Sequence, residues 1–397
     1  MATAKQVLIL GGGFGGLVSA NLIRKGLRKE ECVITLVDKS RYFMMGLVNL
    51  WILSGNRKLE DSQVDLDNLQ KKGIIFLNDE ITSIDASEKS VTTRASNKLK
   101  CDYLIVALGA ELAPERISGF ENYDESCFNA YDSKQATRLR EKILSIKRGR
   151  IVVCIADLPY KCPPAPYEVS LLLNDILVKN GTRDSIELDM YVPTPIALPV
   201  AGPQMSQNVV NLLNDNHIKF HTSHKIKKVL DKKTIEFENG NKTNYDVLVV
   251  IPPHQIPPVI KNSDLLEAEQ RWINVDKFSL RTKHNNVFAI GDVTEIRLDK
   301  NTTIPKAGIF AEGEAKAVSF QIINEIKNSY LNYDKAHIQF DGKGHCFMEI
   351  GDKKAGYIDA DFYNEAGPTT RLVAPSEEFY QKKLDFEKSR VNEWLTP

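Results

Sequence analysis

The sequence has no excess of charge of either sign: lysine plus arginine and aspartate plus glutamate each number 52. That balance excludes the electrostatic footprint of a nucleic-acid-binding chain, and no acidic tail points to a solvating role. No apolar run approaches the length of a bilayer span. The N-terminus passes from Met1-Ala2-Thr3-Ala4-Lys5-Gln6 straight into apolar residues, without the basic, apolar and small-residue segments of a secretory signal. The expectation is a cytoplasmic protein, either free or peripheral on the inner face of the membrane. Cysteine is sparse, at Cys32, Cys101, Cys127, Cys154, Cys162 and Cys346. None forms a CxxC pair or stands with histidine at zinc spacing, so no metal site is expected. Without an export signal, such cysteines read as buried thiols, or as a catalytic rather than a structural pair where oxidised. Repeats and low-complexity tracts are also lacking. What remains is a chain of 397 residues, 42% hydrophobic and 26% charged, long enough for two or three globular domains.

The first feature present is an apolar strand at residues 7–10, followed at once by Gly11-Gly12-Gly13-Phe14-Gly15-Gly16. A helix is expected over 17–25 and a second strand over 33–37, ending at Asp38-Lys39. Gly11, Gly13 and Gly16 fit the dinucleotide-binding spacing: a tight turn, a close approach to a pyrophosphate, and a close helix–strand packing that aims amide groups at phosphate. Phe14 and Gly15 complete that loop. Asp38 suits ribose hydroxyls and disfavours a 2′-phosphate. A short meander is expected over 74–95 and a strand over 103–107, which closes with Ala107-Leu108-Gly109-Ala110.

A second unit begins near residue 150, with strands over 151–155 and 186–192, helices over 167–179 and 209–216, and three strand candidates between 225 and 251. Its first strand is not followed by a glycine loop. The chain reads Ala156-Asp157-Leu158-Pro159-Tyr160-Lys161-Cys162-Pro163-Pro164-Ala165-Pro166-Tyr167-Glu168. Prolines in place of glycines cannot wrap a pyrophosphate in the usual way. The next strand ends in Tyr191-Val192-Pro193-Thr194, with no ribose-binding acid. Further on come a strand over 287–290 with Gly291-Asp292, a helix over 310–327, short strands after 328, and a final helix over 377–395.

Val287-Phe288-Ala289-Ile290-Gly291-Asp292 resembles the second flavin fingerprint of the pyridine nucleotide-disulfide oxidoreductase superfamily, where the Asp meets the ribityl chain of FAD. Residues 103–110 resemble the glycine-ended strand of the same superfamily. The segment from Tyr160 to Glu168, together with Gly344-His345-Cys346-Phe347-Met348-Glu349, resembles the two redox-cysteine segments of sulfide:quinone oxidoreductases and flavocytochrome c sulfide dehydrogenases. The resemblance runs from Val7 to about Asp361. It implies an α/β chain with two Rossmann-like domains, the FAD domain being discontinuous, and a small C-terminal domain. The corresponding bounds are 1–113 and 272–335 for the FAD domain, 114–271 for the second domain and 336–397 for the last segment. It also implies FAD held by Gly11, Gly13, Phe14, Gly15, Gly16, Asp38, Lys39, Ala107, Gly109, Gly291, Asp292, Lys306, Ala307 and Gly308. Cys162 and Cys346 would be the redox pair, with Cys127 as accessory or packing cysteine, Glu168 as proton shuttle or helix-start acid, and Lys306 at the flavin pyrimidine edge. In related three-cysteine enzymes a His stands where this chain has Tyr131.

The chemistry suits the residue types. Hydrosulfide can open a disulfide to a persulfide and a thiolate, and a thiolate needs a cation or a helix N-terminus, which Lys161 and the helix after Cys162 offer. The function implied is oxidation of sulfide, or a related sulfane or thiol, with electrons leaving through FAD to a quinone or small acceptor. Two alternatives stay open: a type II NADH dehydrogenase-like flavoenzyme, which the missing second glycine loop opposes, and a persulfide carrier or redox sensor without turnover. Cys32, Cys101 and Cys154 read as packing residues. His254, after Pro252-Pro253, reads as a surface residue or part of an acceptor pocket. The apolar stripe Phe379, Tyr380, Leu384, Val391, Trp394 and Leu395 suits packing on the body, a second copy in a homodimer, or a membrane surface.

Overall fold

The computed structural model describes residues 3–123, 125–299, 302–327 and 339–396. Two five-stranded parallel sheets organise it. In the first, the order is Val287–Ala289, Tyr103–Val106, Lys5–Leu10, Cys32–Asp38 and Ile75–Asn78. Lys5–Leu10 lies at the centre, and helix Phe14–Gly26 carries the chain across to Cys32–Asp38. Val7 and Ile9 face one core cluster and Leu8 and Leu10 another. Burial of both faces is what a parallel sheet demands of its apolar runs.

The second sheet repeats the plan in the order Cys127–Asn129, Val247–Ile251, Gly149–Ile155, Ile186–Tyr191 and Lys219–His221. Ile151, Val153 and Ile155 pack one way and Val152 and Cys154 the other. Each sheet reverses its winding at its central strand. In an open α/β sheet the crevice outside the carboxyl end of such a strand is where ligands bind. The glycine loop fills that place in the first sheet, and the Cys162 segment fills it in the second. A smaller antiparallel sheet, Lys343–Gly351, Lys354–Asp361 and Thr369–Ser376, follows, and helix Glu377–Leu395 closes the chain. The molecule is thus an α/β protein of two Rossmann-like sheets with a small C-terminal unit.

Several local expectations are corrected. The strand at Ile75–Asn78 leaves the meander and becomes the edge of the first parallel sheet. Four strands, not three, lie between Ile226 and Ile251. The first helix begins at Phe14, so Gly15 and Gly16 lie in its first turn. Helix Ser133–Ser145, capped by Asp132 accepting from the Gln135 amide, was not anticipated. Helix Gly202–Asp215 starts earlier than its apolar residues suggest. The proposed boundary at 335/336 lies outside the described residues.

Candidate active site

The glycine loop is shaped by contacts that exclude side chains. Gly11 has φ +104°, and a Cβ there would stand 2.3 Å from the Ala107 carbonyl oxygen. A Cβ at Gly16 would stand 1.8 Å from the Gly11 carbonyl oxygen. Gly13 and Gly109 differ, because a Cβ there would meet nothing within 4 Å. Gly13 also precedes the helix without any side-chain cap, leaving the first-turn amides open. Asp38 latches the loop: its Oδ2 accepts from the Gly12 amide at 2.6 Å and its Oδ1 from the Ser40 amide at 2.7 Å. Lys39 points away into an ion pair with Glu111 at 2.9 Å.

Asp292 follows the edge strand of the same sheet. Burial pushes its carboxyl above the usual range, while Lys161 and Lys306 pull it down. Its Oδ1 is buried without a hydrogen-bond partner. A buried carboxylate oxygen in that state wants a donor from outside the chain, and a ribityl hydroxyl would supply one. Lys306 donates to the carbonyls of Asp292 and Thr294, both at 2.8 Å, and lies 3.6 Å over the Trp272 ring. Burial pushes its ammonium down to about 8. Glu314, the next buried acid, accepts from the Gly291 amide and is pushed up to about 8 by burial. Ala307 and Gly308 lead into helix Gly308–Lys327, and the Phe14 ring lies against Gly308. An open amide cradle, a close turn and an unpartnered buried carboxylate oxygen together fit a flavin dinucleotide.

The Cys162 segment reaches the same region. The Cys162 amide donates to the Lys306 carbonyl at 2.7 Å. The Tyr131 hydroxyl donates to the carbonyls of Lys161 at 2.8 Å and Cys162 at 3.3 Å. Cys346 arrives from the other side, on the strand Lys343–Gly351. Cys162 and Cys346 line one cavity of about 70 Å³, with Pro163, Pro305, Phe310 and Phe362 among its walls. The neighbouring Cys346 thiol, and then burial, push the Cys162 thiol well up. The cation acting on Cys162 is Lys383. Lys161 acts instead on His254 and Asp292.

Cys127 is placed elsewhere. It is buried in the second sheet, 3.3 Å from the Tyr245 hydroxyl and outside the cavity that Cys162 and Cys346 share. Cys32 and Cys154 are fully buried in strands. His254 is no surface residue: it is 2% exposed, packs edge-on against Tyr131, and donates from Nδ1 to the Pro252 carbonyl. Burial pushes it down to about 3, so the ring is neutral.

Glu168 lies in the first turn of helix Ala165–Lys179 and is fully buried. Its Oε1 accepts from Lys383 at 2.7 Å and from the Glu349 amide at 2.8 Å. Lys383 also donates to Glu349 at 3.0 Å, and the Trp51 indole donates to the same carboxylate at 3.0 Å. Lys383 and Glu349 escaped the sequence reading, although a signal existed. Lys383 falls on the stripe of Tyr380, Leu384, Val391 and Trp394, where a charge is out of place unless paired.

The family profile described as pyridine nucleotide-disulphide oxidoreductase matches residues 5–154 and 187–315. The mitochondrial sulfide:quinone oxidoreductase of Dictyostelium discoideum is 31% identical over 308 residues, spanning 74% of this chain and 66% of that protein. The crystal structure of the sulfide:quinone oxidoreductase from Aquifex aeolicus superposes with a TM-score of 0.86 at 25% identity, covering 99% of this chain and 93% of that one. A type II NADH:quinone oxidoreductase of Staphylococcus haemolyticus is 22% identical over 375 residues, 89% of this chain and 93% of that protein.

Proposed function

The chain belongs to the pyridine nucleotide-disulphide oxidoreductase family, and from that premise we propose that it oxidises sulfide, or a related sulfane or thiol, at Cys162 and Cys346. The observation that carries the reading is the meeting of these two thiols in one apolar cavity, although they come from different elements of the fold. With the pair oxidised, hydrosulfide attacks one sulfur. A new S–S bond forms the persulfide, the old S–S bond breaks, and the other cysteine leaves as thiolate. FAD, held by the glycine loop, Asp38 and Asp292, supplies the two-electron acceptor when bound. A quinone or small acceptor takes the electrons onward. The cavity walls around the sulfurs are apolar, Tyr131 holds the consecutive carbonyls of Lys161 and Cys162, and Lys383 supplies positive charge towards Cys162. No helix among the described residues is long and apolar enough to cross a membrane, so contact with a membrane-borne quinone would be made from the surface.

The NADH-oxidising alternative has a structural objection. The crevice of the second sheet is filled by the proline-rich segment, and the helix beyond it opens with prolines and a buried acid, Glu168. A carboxylate in the first turn opposes the pyrophosphate that a nicotinamide cofactor would place there. Anaerobic titration of the FAD-loaded protein decides between donors. Sulfide should bleach the flavin absorbance quickly and NADH slowly; fast bleaching by micromolar NADH would reverse the assignment. Turnover with sulfide and a quinone analogue distinguishes an enzyme from a persulfide carrier.

A further inference from the structure

We infer that Lys383 is a positioning residue that holds the two cysteine-bearing segments at bonding separation while their sulfurs are not bonded to each other. The inference rests on the thiol–disulfide reading above and adds a part to it. Glu168 lies just downstream of Cys162, and Glu349 just downstream of Cys346. One ammonium group spans both carboxylates, at 2.7 Å and 3.0 Å. Each of the three charged side chains is at most 3% exposed. Lys383 comes from the C-terminal helix, an element that carries neither cysteine. Burial works to lower its pKa, but the two carboxylates outweigh that and hold it above its ordinary value. The ammonium is therefore charged throughout the neutral range.

The geometry is specific to this purpose. The Glu349 amide donates to the Glu168 carboxylate, so the two segments already share a backbone-to-side-chain bond. The carboxylates alone would repel each other in this low-dielectric place, and the ammonium converts that repulsion into a bridge. When hydrosulfide opens the disulfide, the covalent link between the segments is lost for part of the cycle. Reclosure then depends on how far the two sulfurs drift, which is an effective concentration. Trp51, on helix Val48–Ser54, fixes the far side of the bridge through Glu349.

The test is a redox titration of the full-length, FAD-loaded protein in glutathione buffers. One oxidised glutathione and the protein dithiol exchange for the protein disulfide and two reduced glutathiones. Alkylation and peptide mass analysis then report the Cys162–Cys346 bond. Lys383→Met should lower the dithiol–disulfide equilibrium constant at least tenfold, which is about 30 mV towards a more oxidising potential. Since that variant leaves two buried carboxylates facing each other, the neutral triple variant Glu168→Gln, Glu349→Gln, Lys383→Met provides a second reading and should shift the same way. Ile143→Ala, a core cavity in helix Ser133–Ser145 at a residue that does not line the cysteine cavity, should lower thermal stability and leave the potential where it was. A wild-type potential in both Lys383 variants, or an equal shift in Ile143→Ala, would overturn the inference and leave the proposed function standing. A wild-type protein that never forms the Cys162–Cys346 bond would overturn both.

Discussion

Cys162 sits at φ +54°, a backbone region that residues with a Cβ rarely adopt. Its amide is held by Lys306, its carbonyl by Tyr131 and by the Ala165 amide at 2.9 Å. Strain kept in place by three hydrogen bonds marks a side chain whose direction matters more than its comfort. Substituting Cys162 or Cys346 by Ser should leave FAD bound, because its cradle uses other residues, and should abolish reduction of the flavin by sulfide. Stopped-flow flavin absorbance checks this. Cys127→Ser, packed under Tyr245 away from the cavity, should retain most of the rate. His254 makes a different prediction. Its folded pKa lies near 3 against an ordinary 6.5, so the unfolded chain takes up the proton first as pH falls. Its neutral burial costs no stability above pH 6.5. Between pH 6.5 and 3 the native state loses about 1.4 kcal/mol for each pH unit. A His254→Gln variant should lack that component of acid sensitivity in denaturant melts taken across the window.

At the scale of elements, the C-terminal helix reaches the glycine loop as well as the Glu168–Glu349 pair. The Trp394 ring packs edge-on to Phe14 at 5.2 Å, and Arg390 pairs with Glu312 at 2.7 Å. Trp394→Ala should cost roughly 3–5 kcal/mol, and FAD should wash out of the variant more readily on gel filtration, because Phe14 loses its support. The bounds of this helix were legible from the alternation of its apolar and charged residues, and so was the glycine loop, where strand, turn, helix and acid are neighbours in sequence. Helix Ser133–Ser145 was not, since it buries only Ala136, Leu139 and Ile143, too thin a stripe to stand out. Lys383 stands out on its apolar stripe as a charge that needs a partner, but the identity of that partner is beyond reach. Its role depends on Glu168, 215 positions away, and no local pattern encodes so distant a partner. The thiol pair could be anticipated only through resemblance, and the cavity that both its members line comes from the tertiary structure.

Across the whole molecule, the proposed flavin site would join parts of the chain that are far apart: the loop at Gly11–Gly16, the strand end at Gly109 and the segment at Gly291–Asp292. A ligand that binds only the folded state stabilises it by mass action, about 2.7 kcal/mol at a hundredfold excess over Kd. Thermal melts of stripped and FAD-reconstituted protein should therefore differ, with the loaded form melting higher, and Asp292→Ala should shrink the difference. The bond from the Cys162 amide to the Lys306 carbonyl has a mechanical meaning at this scale. Cys162 is encoded at the end of the second sheet, yet its backbone is moored to a residue clamped behind the edge strand of the first. Its carbonyl meanwhile stays tied to Tyr131 and Ala165 of the second unit, so any rocking of one sheet against the other loads the backbone on both sides of a single sulfur, like a rope made fast to both banks.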